Sequence, residues 1–172
     1  TSYRDDFGFD EGPRAVPVIA GGRVFTHGAD GWLHGLDVTT GRKLWGIDTR
    51  RVFDAPKGYF GVATSPLVDG DRVLVNVGGK SGGIVAFDAA SGRTLWTSTG
   101  DEASYSAPIM ADLAGLRTAV FFTRTGLVAV DPASEPRLQV RDGVDGAQVL
   151  GIDVDGWQPG SPALIDATTF GY

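Results

Sequence analysis

At 172 residues, with 42% hydrophobic and 21% charged residues, the chain has the balance of a globular protein, and no apolar run is long enough to span a membrane. The formal charge of −6 argues against a nucleic-acid-binding surface, and the lack of cysteine excludes disulfides, zinc–thiolate sites and thiol nucleophiles. The 26 glycines and 9 prolines suit many short strands joined by tight turns.

Residues Thr1–Gly12 read as a polar and aromatic loop. The chain begins at Thr1 without a charged-then-apolar leader, so any targeting peptide is expected upstream or already removed. A repeat then takes over. One copy runs from Pro17 through Arg23-Val24-Phe25 to Asp37-Val38-Thr39-Thr40-Gly41-Arg42-Lys43-Leu44-Trp45. The next runs from Pro66 through Arg72-Val73-Leu74 to Asp88-Ala89-Ala90-Ser91-Gly92-Arg93-Thr94-Leu95-Trp96. A third starts at Pro108 and reaches Asp131, with Glu135 and Gln139 at its glycine and tryptophan places, and a fourth starts at Pro162.

The proline-to-proline steps are 49, 42 and 54, the length of a β-propeller blade, and the aspartate-to-tryptophan step is 8 in both complete copies. Each copy holds four short strand-like runs. In the second they are expected at about 62–68, 72–77, 83–88 and 94–97, with no window of helical period. The fold class is therefore all-β, a propeller of four-stranded antiparallel blades. Blades are expected at about 14–48, 62–98 and 104–140, with the first strand of another at 160–172. Open sheet edges invite aggregation, so the segment reads as part of a closed ring of about seven or eight blades.

The motif residues have structural roles. Asp37 and Asp88 end third strands, where a carboxylate accepts nearby backbone amides in an Asx-type turn. Asp131 holds the same place in the third copy, whose turn is expected to differ and whose docking to its neighbour is expected to be weaker. Gly41 and Gly92 supply a positive φ. Trp45 and Trp96 offer apolar area for packing between blades. Gly35, Ala86 and Ala129, two places before each aspartate, would let neighbouring sheets approach.

Chemistry-bearing motifs are weak. Gly79-Lys80-Ser81 lacks the earlier glycine of a phosphate loop, because Leu74 stands there, and it precedes a strand. Asp153-Val154-Asp155-Gly156 has Gly151 at the first calcium-ligand place and no closing glutamate. His27 and His34 flank the Gly28–Gly31 turn and could meet across it, but no carboxylate at fixed spacing completes a metal site. No G-x-S-x-G is present.

The block Gly35-Leu36-Asp37-Val38-Thr39-Thr40-Gly41-Arg42-Lys43-Leu44-Trp45, repeated at Ala86–Trp96, resembles the repeat of quinoprotein-dehydrogenase-like propellers, the PQQ-like family. The resemblance covers about Arg14 to Val140, with a weaker trace to Tyr172. Its members include quinone-dependent dehydrogenases and non-catalytic outer-membrane assembly proteins. It implies an exported protein, periplasmic, secreted or on the cell surface. For the dehydrogenases it also implies PQQ with calcium near the ring axis. The adjacent-cysteine disulfide of several dehydrogenases cannot form here.

Strand topology sorts the loops into two faces. Turns between first and second, and between third and fourth strands, are compact. The other face collects the longer segments 1–13, 28–31, 48–61, 78–83, 99–105 and 141–160, of which 141–160 reads poorly as a blade connection. A rigid scaffold places function on such loops. Asp54, Lys57, Tyr59, Lys80, Asp101, Glu102 and Tyr105 are the candidate ligand-binding residues there, with Asp5, Asp6, Phe7, Phe9, Asp10, Glu11 and Phe60 on the same face. No catalytic constellation is visible and no metal ligands are assigned. The expected function is a scaffold that binds a protein or a small polar ligand, beside the remaining blades of its ring. The alternatives are a fragment of a PQQ-dependent alcohol or sugar dehydrogenase and a carbohydrate-binding propeller.

Overall fold

The computed structural model describes residues 14–98, 100–113 and 115–133, and the backbone of 141–142 and 148–149. The Glu135 and Gln139 departures, the calcium-like segment 153–156 and the strand expected at 160–172 lie outside these residues.

The first sheet is the meander the turn residues call for. Strands β1 (Val18–Ala20), β2 (Arg23–His27), β3 (Trp32–Asp37) and β4 (Lys43–Asp48) follow in spatial order, all antiparallel. The second repeats it with β5 (Leu67–Asp69), β6 (Arg72–Gly79), β7 (Gly82–Asp88) and β8 (Thr94–Ser98). The third contains β9 (Ile109–Leu113), β10 (Leu116–Phe122) and β11 (Leu127–Val130). The short strands β12 (Arg141–Asp142) and β13 (Gln148–Val149) pair with each other.

Two local expectations change. The stretch read as loop after Asp48 opens with a helix, α1 (Thr49–Phe53), capped by the Asp48 carboxylate, which accepts from Arg51 N at 3.1 Å. Five residues are too few to leave a periodic signal. The strand expected from Val62 begins only at Leu67. The residues before it are extended but held by other bonds: Val62 N donates to Ala29 O at 2.9 Å, and the Thr64 hydroxyl to Asn76 O at 3.0 Å.

The core is two layers, one on each side of the second sheet. Along β6 and β7, Val73, Val75, Val77, Val85 and Phe87 pack with Phe25, Leu33 and Phe53 of the first sheet and α1. The alternate residues Leu74, Ile84 and Ala86 pack with Ala119, Phe121, Val128 and Val130 of the third. A strand buried on both faces needs a continuous apolar run, and Val73–Val77 is one, interrupted only by Asn76. Each such side chain contributes roughly 1.5–3 kcal/mol on burial.

The motif locks one sheet to the next. Asp37 Oδ1 accepts from Thr39 N, Thr40 N and the Thr40 hydroxyl, and Asp88 Oδ1 from Ser91 N and its hydroxyl. Gly41 and Gly92 take φ of 69° and 74°. The indole of Trp45 crosses to the second sheet's turn, where Nε1 donates to Ala89 O at 3.1 Å. Trp96 repeats this on the third sheet, donating to Pro132 O at 3.4 Å. Asp131 Oδ1 accepts from Ala133 N at 2.8 Å, so the third turn starts the same way.

The small residues two places before the first two aspartates also sit opposite their own sheet's tryptophan. Gly35 is the cross-strand partner of Trp45, and Ala86 of Trp96. A Cβ on Gly35 would lie 2.4 Å from the Trp45 indole, so the small residue makes room for its own sheet's tryptophan.

Candidate binding face

The longer loops meet around the turn between β6 and β7. Its two glycines are points of close backbone approach. A Cβ on Gly79 would lie 2.1 Å from Phe53 O at the end of α1, and one on Gly78, at φ 71°, 2.2 Å from Ala103 N. The turn is thus wedged between α1 and the segment entering the third sheet. Spacing alone did not reveal this, because the contacting partners lie about 25 residues away on each side in sequence.

That wedge distributes the candidate residues. Lys80 and Asp54 form an ion pair of 3.3 Å with both side chains largely exposed. Tyr59, Phe60 and Tyr105 form an aromatic chain, with centroids 4.7 Å apart for Tyr59–Phe60 and 5.5 Å for Phe60–Tyr105. The Tyr105 hydroxyl accepts from Phe60 N at 3.0 Å. Two guanidinium groups flank the chain: Arg14 is 5.4 Å from the Phe60 centroid and Arg124 5.7 Å from that of Tyr105, both within cation–π range. Arg124 also pairs with Glu102 at 3.6 Å. Sequence reading overlooked Arg14 and Arg124, because a strand-entry and a turn arginine carry no local signal for stacking on distant rings.

Tyr59 and Tyr105 remain 49% and 39% exposed, so they offer ring surface to a partner. Lys57 borders a cavity of about 30 Å³ with Tyr105, Glu102 and Arg124, the size of a water site. Asp101 differs from the rest: it is buried. Residues 5–11 of the same expected face lie outside the described residues.

The histidines do not meet. The register pairs Thr26 with His34 and His27 with Leu33, which sends the two rings to opposite faces. His34 stacks on Trp32 at 5.7 Å. His27 is buried toward the second sheet, 3.1 Å from the Thr49 hydroxyl. That hydroxyl donates to Gly31 O at 2.7 Å, so it accepts from His27 Nε2–H and leaves Nδ1 unprotonated. Burial pushes the His27 pKa down to about 4, against smaller opposing effects of the Thr64 backbone and Asp30.

A family model described as outer membrane protein assembly factor BamB matches residues 4–140. The chain belongs to this family of PQQ-like β-propellers. Quinohemoprotein alcohol dehydrogenase ADH-IIG of Pseudomonas putida is 33% identical over 78 residues, 44% of this chain and 11% of that protein. The lanthanide-dependent methanol dehydrogenase of Methylacidiphilum fumariolicum (strain SolV) is 35% identical over 83 residues, 46% of this chain and 13% of that protein. The PQQ-like chain therefore spans about an eighth or less of each of these relatives. The structure of quinohemoprotein alcohol dehydrogenase from Comamonas testosteroni matches in fold, with a TM-score of 0.54 at 21% identity over 76% of this chain and 21% of that one.

These relatives raise the question of a quinone and its metal. Among the described residues no group of three or more His, Asp or Glu side chains is placed to hold a cation. The loop-face cavity, at about 30 Å³, is far too small for a tricyclic quinone. The loop-face cavity among the described residues therefore does not fit that group. No helix among them is long and apolar enough to cross a membrane.

Proposed function

We propose that this chain is a binding scaffold: a run of PQQ-like blades, within a ring of about seven or eight, that presents its loop face to a protein partner outside the cytoplasm. The carrying observation is the aromatic chain Tyr59–Phe60–Tyr105, flanked by Arg14 and Arg124, with both tyrosines exposed. Exposed aromatics and arginines on a rigid frame are what binding hot spots are made of. The Lys80–Asp54 and Arg124–Glu102 pairs supply a polar rim of both signs. The family description, an outer membrane assembly factor, supports a protein partner and an exported location. The blades are assigned to about 14–48, 62–98 and 104–140, with the ring completed by chain outside these ranges.

A photo-crosslinking amino acid at Tyr59 or Lys80, and at Thr39 on the compact face as control, tests this. Crosslinks to one partner from the loop-face positions alone are expected. Equal capture from Thr39 would sink the reading.

The second reading is part of a PQQ-dependent dehydrogenase, favoured by the 33% and 35% identities to two such enzymes. Adding PQQ with calcium or a lanthanide and following dye-linked alcohol oxidation separates the two. Turnover would replace the scaffold reading.

A further inference from the structure

The second and third sheets each receive a tryptophan on their aspartate turn, and the first presents the same turn uncovered. Trp45 donates to Ala89 O and Trp96 to Pro132 O, in each case the residue after the motif aspartate. The matching acceptor in the first sheet is Val38 O. Its turn is built alike: Val38 N donates to Gly22 O as Ala89 N does to Asp71 O, and Gly41 takes nearly the φ of Gly92. Among the described residues nothing donates to Val38 O. A Cβ on Gly92 would meet the Trp45 indole at 2.7 Å, whereas one on Gly41 would meet nothing within 4 Å.

The sheet face around that turn is apolar and open. Ile19, Val24 and Leu36 are cross-strand partners in one row, on the side opposite Phe25 and His27. The same row in the second sheet is Val68, Val73 and Phe87. There the first sheet covers it, and Val73 and Phe87 are fully buried. Here Ile19 is 68% and Val38 43% exposed, while Ala89, at the place of Val38, is 7% exposed. Thr26 and His34, paired on the same face, are its polar exceptions. A face with the composition of a seam and the exposure of a surface marks an interface.

The repeat indicates what covers it. In both described seams the covering sheet supplies an apolar face and a tryptophan from its last strand. A second copy stacked head to tail would bring its third repeat, which has Gln139 at the tryptophan place and so no indole to give. We propose that the outward face of the first sheet, Ile19, Val24, Leu36 and Val38, docks a further PQQ-like blade of the same ring. The last-strand tryptophan of that blade lies over Gly41 and donates its indole N–H to Val38 O. The inference rests on the ring in the scaffold reading and is independent of that reading's protein partner.

A leucine-sized diazirine amino acid at Val38, in the protein carrying the whole ring, tests it. The crosslink is expected on a peptide that holds a motif tryptophan from outside residues 1–172, and within one molecule when labelled and unlabelled protein are mixed. A crosslink between two copies, one to a peptide without tryptophan, or none at all would overturn the proposal. Stability gives a second readout. The gap in urea midpoint expected between Gly41→Ala and Gly92→Ala in residues 1–172 should close in the whole ring, because both glycines then lie beneath an indole. A gap that persists there would also overturn the proposal. Loss of the Val38 crosslink beside retained Tyr59 crosslinks to a partner removes this interface alone. The Val38 crosslink without any at Tyr59 removes the protein partner alone.

Discussion

The seam between the first and second sheets and the seam between the second and third are built on one plan and finished differently. Both place a tryptophan indole from one sheet on the aspartate turn of the next. The first then encloses a histidine bonded to a helix threonine and leaves a cavity beside Arg23. The second encloses the side chains of Asn76 and Ser98, whose polar atoms have no partner, and closes with Arg117 on Asp69. Recurrent motif residues carry the docking, and the positions that vary between repeats carry the differences. A blade motif therefore sets how sheets stack without dictating what each seam can bind.

The largest effects should come from the shared device. Trp96→Ala and Trp45→Ala should each cost about 3–5 kcal/mol in urea unfolding, with Trp96 the costlier because its ring is more deeply buried. If Trp45→Ala were the costlier, the burial argument would fail.

The next effect belongs to the first seam alone. Unfolded His27 takes a proton near 6.5, whereas the folded chain resists protonation down to about 4. The neutral ring's contribution is fully present above 6.5 and is lost as pH falls through 4, a change of roughly 3 kcal/mol. His27→Gln should flatten that part of the stability profile. The turn aspartates add a separate acid loss at lower pH. The Thr40 hydroxyl and amide hold the Asp37 pKa below its usual 3.8, and the Ser91 hydroxyl and amide do the same for Asp88.

At the second seam, Asn76→Leu should cost less than about 1 kcal/mol or stabilise, because it removes two buried polar atoms that have no partner. A large loss would show that the amide is bonded in solution. Arg117→Ala should be the mildest change, and its effect should shrink as salt is added, since the guanidinium is mostly exposed.

Sheet order, strand number and turn chemistry were legible because Asp37 and Asp88, Gly41 and Gly92, Trp45 and Trp96 recur at one spacing. The direction in which each indole docks was not, because spacing within a repeat carries no information about which neighbour it meets. The five-residue α1 left no periodic trace, and whether His27 and His34 share a face depended on a register one place fine, which spacing does not give. For the candidate face, the tyrosines and the Lys80–Asp54 loop ends were identifiable as loop residues. Their convergence was not, since it depends on Gly78 and Gly79 admitting backbone from distant segments.

The interlock itself is tested most directly by two equivalent glycines. Gly41 and Gly92 sit at nearly the same φ, yet a Cβ on Gly41 meets nothing within 4 Å, while one on Gly92 meets the Trp45 indole at 2.7 Å. Gly41→Ala should cost only the backbone penalty, about 1 kcal/mol. Gly92→Ala should cost about 1–3 kcal/mol more. That excess should disappear in the Trp45→Ala background of a double-mutant cycle. Equal costs for the two glycines, or an excess that survives removal of the indole, would contradict the account.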